Sequence, residues 1–420
     1  MNVRRSSRSF RDTVDTVVRR AVEANPPAWE SLVQALPGVY PTEVLETLKR
    51  LSASQILPNR STEALICGAS GSVGPEKRSG WDTYDLPIPH PLDFDWRFEP
   101  ETAEKLLSLG GDHQEVICLG APTLYLSAAL QSRVRATLLD ANHSMVTKLN
   151  QLIKPGNCLE VDLLLGAVPH LQAPVIFADP PWYVEHTKSF LWVARFLCSD
   201  SGMIFISLPP TGTRPGIRKE RREIFAFARL CGLTVTELRE NDLKYETPEF
   251  EASALTAAGV KNIPHWRRGT LCILKCTEKS RAPRPRPDPT IVKWSEVKLF
   301  DTRFRFRNIA ELPLGDPRLI SLVPGDILTS VSRRDPARKA ADVWTSQNRI
   351  YACRAPGLLA SIARALAGKG DPVAKVEEEF GLQFHPRQRM KIAQAAMQLV
   401  RTANLERQTW RSMSIMGAGT

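Results

Sequence analysis

Val175-Ile176-Phe177-Ala178-Asp179-Pro180-Pro181-Trp182-Tyr183 is the stretch on which the reading of this chain turns. Four apolar residues in succession are too few for a helix. They fit a strand covered on both faces, the kind that parallel sheets contain. The prolines end it, because proline cannot donate to a ladder. A carboxylate then stands at the C-terminal end of the strand, where open α/β sheets bind ligands. The residues around it suit one chemistry. An amino nitrogen conjugated to a ring or carbonyl is a poor nucleophile, since its lone pair is delocalised. Asp179 and the carbonyl of Pro180 are both acceptors. Together they can take the two N–H groups, orient the lone pair and stabilise the charge that develops during attack. Pro180 and Pro181 stiffen the loop. Trp182, with Tyr183 next to it, offers a flat face for a planar substrate. The plainer alternative is a buried strand followed by a tight Pro-Pro turn.

Working outward, short β-like runs at 115–119, 136–140, 158–162, 175–179, 203–208, 233–238 and 271–276 alternate with helix-length segments. That alternation predicts a doubly wound α/β sheet over residues 67–280. Residues 1–66 read as a helical N-terminal segment. Val14, Val17, Val18 and Ala21 recur at helical spacing, as do Leu45, Leu48 and Leu51, with breaks at Pro26-Pro27 and Pro37. Gly68 to Gly74 reads as a linker, without the Lys-Ser/Thr of a phosphate-binding loop. In 281–289 proline recurs at alternate positions, which predicts an extended, semi-rigid linker. Residues 290–420 form a basic C-terminal domain of mixed α+β character. It is β-like over 299–306 and helical over 355–410, where Leu358, Leu359, Ile362, Leu366, Met390, Ile392, Ala395 and Leu399 recur.

Further candidates lie at neighbouring strand ends. Val116-Ile117-Cys118-Leu119-Gly120-Ala121-Pro122 places a glycine after the first run, where a backbone can approach a ligand closely. Asp140 ends the second run about twenty residues later, where a carboxylate commonly accepts ribose hydroxyls. Asp162 ends the third. Alone, either acid is as well read as a helix cap or a solvated loop residue.

With Asp179-Pro180-Pro181-Trp182-Tyr183, this set resembles the amino-methyltransferase family, which carries Asp-Pro-Pro-Trp/Tyr after its fourth strand. The resemblance implies a Rossmann-like seven-stranded methyltransferase sheet with an antiparallel last strand, and S-adenosylmethionine as cofactor. It implies catalytic roles for Asp179, Pro180, Pro181 and Trp182, and cofactor contacts from Gly120, Pro122, Asp140 and Asp162. The Gly120-Ala121-Pro122 loop departs from Gly-x-Gly-x-Gly. It is similar to the Gly-x-Pro form of the branch identified as probable N6-adenine methyltransferases, which includes lysine methyltransferases.

Three other segments carry weaker signals. Pro91-Leu92-Asp93-Phe94-Asp95-Trp96-Arg97-Phe98 crowds aromatics and acids ahead of the first strand, either over the cofactor or as an edge packed on the sheet. The loop from Pro209 to Arg214 follows the fifth run and can meet the substrate. Between the last two runs lie Tyr245 to Glu251 and then His265-Trp266-Arg267-Arg268. Tyr183, Trp266, Arg267 and Arg268 are candidate substrate-binding residues, by stacking on a base and pairing with phosphate. A solvated turn is the alternative for the last three.

The net charge of +11 is uneven. Residues 281–420 hold 24 Lys and Arg against 13 Asp and Glu, and the remainder balances at 32 of each. That surplus predicts a polyanion as partner, RNA or DNA, or else a merely soluble surface. The N-terminal helices or the C-terminal domain are also candidate docking elements for a protein. The eight cysteines are scattered, so no metal site is expected and a reducing compartment is. No apolar run reaches the roughly 18–20 residues of a membrane span. Asp12 and Asp15 interrupt the basic start, which argues against a targeting peptide and for a cytoplasmic protein. These readings predict an S-adenosylmethionine-dependent N-methyltransferase acting on adenine N6 in RNA or DNA. The alternatives are a protein lysine or glutamine N-methyltransferase, or a scaffold that has kept the fold without the activity.

Overall fold

The computed structural model describes residues 2–24, 26, 28–36, 38–57, 59–70, 79–111, 115–131, 134–261, 263, 265–286, 292–308 and 315–416. Of the two expected linkers, residues 71–74 and 287–289 lie outside the described residues. A seven-stranded sheet is built from β1 (Glu115–Leu119), β2 (Arg135–Asp140), β3 (Cys158–Glu160), β4 (Ala173–Ala178), β5 (Cys198–Leu208), β6 (Leu233–Lys244) and β7 (Arg268–Cys276). Their order is β3-β2-β1-β4-β5-β7-β6. β1 to β5 are parallel, and β7 runs antiparallel to both of its neighbours. This is the Rossmann-like sheet that the resemblance implied, with its last strand reversed.

The burial of β4 explains its composition. Val175 and Phe177 pack into one apolar layer with Leu106, Leu124 and Tyr125, while Ile176 and Ala178 pack into the other with Phe190, Leu191 and Ala194. A strand between two helical layers needs no polar face. Strand ends differ from expectation where side chains intervene. β3 stops at Glu160, because the Asp162 carboxylate accepts from the amides of Leu164 and Leu165, at 2.8 and 3.2 Å, and turns the chain away. β6 runs on to Lys244, where pairing with Arg268 at the start of β7 extends it.

The N-terminal helices α1 (Asn2–Glu23), α2 (Trp29–Ala35), α3 (Pro41–Ala53) and α4 (Asn59–Ala69) share a core of Val14, Val18, Trp29, Leu32, Val44 and Leu48. Leu255, Val260, Ile263 and Trp266 of the sheet domain complete it. Arg50 joins α3 to α1 through both oxygens of Asp15, at 2.6 and 2.7 Å. Gly38 turns with φ +71°, and a Cβ there would stand 2.9 Å from Pro210 and Thr213. Glycine thus lets the turn before α3 approach the loop after β5.

The C-terminal domain holds an antiparallel sheet in the order β10-β12-β11-β9-β8. Its strands are β8 (Trp294–Leu299), β9 (Thr302–Arg307), β10 (Ile320–Ser321), β11 (Val343–Thr345) and β12 (Ile350–Ala352). Phe304 and Phe306 pack beneath Ile362 and Leu399 of the helices Pro356–Ala367 and Pro386–Met416. No helix among the described residues is long and apolar enough to cross a membrane.

The aromatic and acidic segment 91–98 joins the two sheets. Arg303 of β9, only 3% exposed, pairs with Asp93 at 2.6 Å and Glu296 at 2.8 Å, and donates to the carbonyl of Ile88 at 2.6 Å. Arg305 pairs with the other oxygen of Asp93 at 2.7 Å. Removing one partner of a buried pair leaves the other charge desolvated, which costs about 3–5 kcal/mol. Arg303→Met is therefore expected to lower the urea midpoint and to speed tryptic cleavage in the 281–289 stretch. Unchanged cleavage and midpoint would show that this ion cluster does not hold the domains together.

Candidate active site

Asp179 emerges from β4 at the point where strand order reverses, between β1 and β4, the usual ligand crevice of such sheets. Its amide donates to the carbonyl of Leu119, at the end of β1, at 3.0 Å. Its carboxylate Oδ1 accepts from Ser207 Oγ and from Tyr245 Oη, the latter at 2.8 Å. Ser207 Oγ in turn accepts from Trp182 Nε1 at 3.3 Å. Burial pushes the Asp179 carboxyl up to about 7, and the bonds from Ser207 and Tyr245 oppose the shift. The group is thus poised to change charge near neutrality.

A cavity of about 320 Å³ opens over this carboxylate. Its walls come from all three parts of the chain: Tyr40 and Glu43 from the N-terminal helices, Asp179, Trp182 and Tyr245 from the sheet domain, and 330–332 from the C-terminal domain. Phe94 and Trp96 add two of the aromatics that the sequence placed ahead of the first strand. The loop after β5 belongs to the same wall. Its Arg214 donates to the carbonyl of Trp182 and pairs with Glu220 at 2.6 Å, so it braces the loop that carries the carboxylate.

Tyr183 lies under the C-terminal domain. Its hydroxyl accepts from the Arg333 amide at 3.1 Å, and the guanidinium groups of Arg214 and Arg333 stand 5.5 and 5.4 Å from its ring. Arg333 also meets Glu185 at 2.9 Å, and Arg334 meets Glu220 at 2.7 Å. Pro180 and Pro181 line the cavity beside Asp179.

Of the residues expected at the cofactor, Gly120, Pro122 and Asp140 are brought to adjacent strand ends. Gly120 turns with φ +59°, and a Cβ there would meet Phe190 at 3.0 Å and the carbonyl of Asp179 at 3.3 Å. Glycine keeps the first loop tight against the site. Pro122 opens the helix Pro122–Leu130 at its first turn. Asp140 uses Oδ1 to accept from the Asn142 amide at 2.7 Å, and its other oxygen has no partner among the described residues. Burial pushes its carboxyl up to about 7, with Asp95 and Asp93 adding to the shift. A buried acid with one free oxygen fits a pair of ribose hydroxyls. Asp162 stands apart, exposed, with its carboxylate in its own turn.

Three expected substrate contacts have other partners. Trp266 is 3% exposed and meets Tyr40 edge-on at 5.3 Å, so its ring is wall rather than platform. Arg267 is bound by both oxygens of Glu251, a side chain with no exposure, and lies over the rings of Trp96, Trp266 and Trp182 at 4.7, 5.0 and 5.4 Å. Its charge is thus already matched. Arg268 pairs in register with Lys244 outside the cavity wall. Ser207, Tyr40 and Glu43 enter the site beyond the residues the sequence singled out, while Tyr245 and Arg214 come from segments it had marked. Ser207 was legible, as the polar residue near the C-terminal end of the strand next to β4. Tyr40 and Glu43 carried no signal, because only helix docking brings them here.

Among solved structures, the chain resembles the branched-chain polyamine synthase from Thermus thermophilus in complex with N4-aminopropylspermidine and 5'-methylthioadenosine. The TM-score is 0.51, the identity 17%, and the match covers 68% of this chain and 95% of that one. The C9 mutein of the same enzyme gives 0.52, 18%, 68% and 94%. TrmN from Thermus thermophilus aligns over 42% of this chain and 48% of that one, at 15% identity and a TM-score of 0.31. No protein-family model and no curated sequence matches. What these chains share is the fold, a Rossmann-like seven-stranded sheet with its last strand reversed. At the C-terminal edge of this sheet, Gly120, Asp140 and Asp179 stand at the ends of β1, β2 and β4.

Proposed function

We propose that the chain transfers an alkyl group from an S-adenosyl sulfonium, S-adenosylmethionine first, to an amino nitrogen held at Asp179. The observation that carries this reading is the Asp179 carboxylate, braced by Ser207 and Tyr245 at the floor of an aromatic cavity. Asp140 and the turn at Gly120 would hold the nucleoside end of the donor. When bound, that donor supplies a carbon made electrophilic by its positive sulfur. Asp179 accepts an N–H of the substrate and directs the lone pair along the line of displacement. The new N–C bond forms as the C–S bond breaks, and the bonding pair leaves with sulfur as a neutral thioether. The proton released by the nitrogen goes to Asp179 or to water. Trp182, Trp96 and Tyr245 exclude water around the developing charge.

The neighbour that binds 5'-methylthioadenosine and N4-aminopropylspermidine supports a second alkyl group, aminopropyl, by the same displacement. Adenine N6 in RNA or DNA is the second substrate reading, favoured by the basic surplus of residues 281–420. Part of that surplus faces acids of the sheet domain instead, since Arg303 and Arg305 meet Asp93, Arg333 meets Glu185 and Arg334 meets Glu220. A small amine therefore takes precedence.

Calorimetry with S-adenosylhomocysteine and with 5'-methylthioadenosine tests the reading. Binding of the first is expected and supports methyl transfer, and tighter binding of the second assigns aminopropyl instead. Binding of neither would end the alkyltransferase reading. Labelled transfer into a cell extract then sorts the acceptors. Label in the small-molecule fraction is expected, and label released only by nuclease would return the substrate to nucleic acid.

A further inference from the structure

The charged groups of the cavity are unequal in one respect. Four line it: Glu43, Asp179, Arg214 and Arg267. Both arginines have acids of their own outside the wall, Glu220 and Glu251. Neither Glu43 nor Asp179 faces a cation at bonding distance among the described residues. Glu43 has no hydrogen bond or ion pair there at all, and partial burial disfavours its charge, with Glu46 and Asp15 repelling it and Arg11 and Arg50 attracting it only from beyond bonding distance. Drawing a carboxylate even partly out of water without a cation is costly, and a bound cation offsets the cost.

A second observation points the same way. Tyr40 Oη and Trp266 Nε1 are buried atoms without a hydrogen-bond partner among the described residues, and both residues line the cavity. Tyr40 and Glu43 sit a single helical turn apart, at the start of α3. The N-terminal helices thus bring an unmatched carboxylate, an unmatched phenol oxygen and an aromatic face to a cavity whose floor is a second carboxylate. Aromatic faces and carboxylates together select ammonium groups.

We propose, resting on the N-alkyltransferase reading, that the acceptor is a diamine. One nitrogen is alkylated at Asp179, and the second, as an ammonium, is held by the carboxylate of Glu43 beside the aromatic wall of the cavity. The N-terminal helices are then a specificity element of the site. A monoamine leaves Glu43 unmatched, and a nucleobase brings no cation to it.

The test uses the full chain and a homologous series of α,ω-diaminoalkanes, from diaminopropane to diaminooctane, each beside the monoamine of equal length. Calorimetry is run with S-adenosylhomocysteine or 5'-methylthioadenosine present. The best diamine is expected to bind about tenfold or more tightly than its monoamine, as a charge-assisted hydrogen bond requires. Glu43→Gln is expected to erase that preference without changing the affinity for the nucleoside. Glu43→Asp is expected to restore it for a diamine about one methylene longer. Equal binding of diamine and monoamine, or a preference that survives in Glu43→Gln, overturns the inference. So does binding of the nucleoside with no binding of any amine, which leaves the N-alkyltransferase reading standing. Absence of nucleoside binding instead removes the reading beneath it.

Discussion

Asp179→Asn is expected to slow alkyl transfer by about 10²–10⁴-fold, the range for losing a positioned acid–base group, with nucleoside affinity little changed. Asparagine keeps an oxygen to accept from Ser207 and Tyr245, so the loop geometry is preserved while the charge is lost. The wild-type rate is expected to rise with pH through about 7, since burial holds the carboxyl there and only its charged form accepts a proton. The residual rate of the variant should lack that step. A wild-type profile flat across this range would remove Asp179 as the titrating group.

Stability changes in the opposite direction. The folded chain keeps a proton that the unfolded chain releases near the ordinary value of 3.8. Folding thus favours the neutral acid, and the contribution is full below 3.8 and is lost as pH rises through about 7. Asp140 and Glu406, also pushed up to about 7 by burial, add to the same trend. The ligand-free protein is expected to lose stability between about pH 4 and about pH 7. Asp179→Asn should be more stable than wild type above that range and equal to it below, by urea midpoints. A site that is strained for function commonly behaves this way.

Glu251→Ala is expected to cost about 3–5 kcal/mol, a large share of the roughly 5–15 kcal/mol that holds a domain folded. Glu251 has no exposure, and it accepts from Arg267 Nε at 3.2 Å, from Arg267 Nη2, and from Trp96 Nε1 at 3.0 Å. Alanine leaves a guanidinium desolvated among three tryptophans and an indole N–H without an acceptor. The two losses act at the cavity wall, because Arg267 lies over Trp96 and Trp182. Amine affinity should therefore fall along with stability. Glu251→Leu combined with Arg267→Met leaves no buried charge and is expected to recover most of the loss. A single variant within about 1 kcal/mol of wild type, on urea denaturation, would show that the pair contributes little.

The sheet was legible because its signals are local. Apolar runs such as 115–119 and 175–178, covered on both faces, can only be inner strands, and the turn residues between them set the spacing. Asp179, Gly120 and Asp140 were legible for the same reason: each stands at a strand end, and parallel strands put those ends on one edge. The reversed last strand came from the resemblance and not from any period in β7. The parts the sequence left open are those that depend on contacts between distant segments. Arg267 and Trp266 read as substrate contacts or as a solvated turn; both line the cavity, and the fold holds them against Glu251 and Tyr40. The segment 91–98 read as a cover for the cofactor or an edge, and it binds the C-terminal domain through Asp93.

By itself, then, the sequence determined the strands of the sheet and the carboxylate at the end of β4, and it pointed toward the chemistry of an amino group. Which charges remain unmatched was decided only by tertiary packing. Composition counts Arg267, Arg303 and Glu43 alike, as one charge each. Packing places an acid within bonding distance of the first two and, among the described residues, leaves Glu43 in the cavity without a cation at that distance. Periodicity reports which face of an element is buried, but not what it is buried against. For that physical reason the net positive charge pointed toward a polyanion, while the site itself presents two carboxylates to a cation.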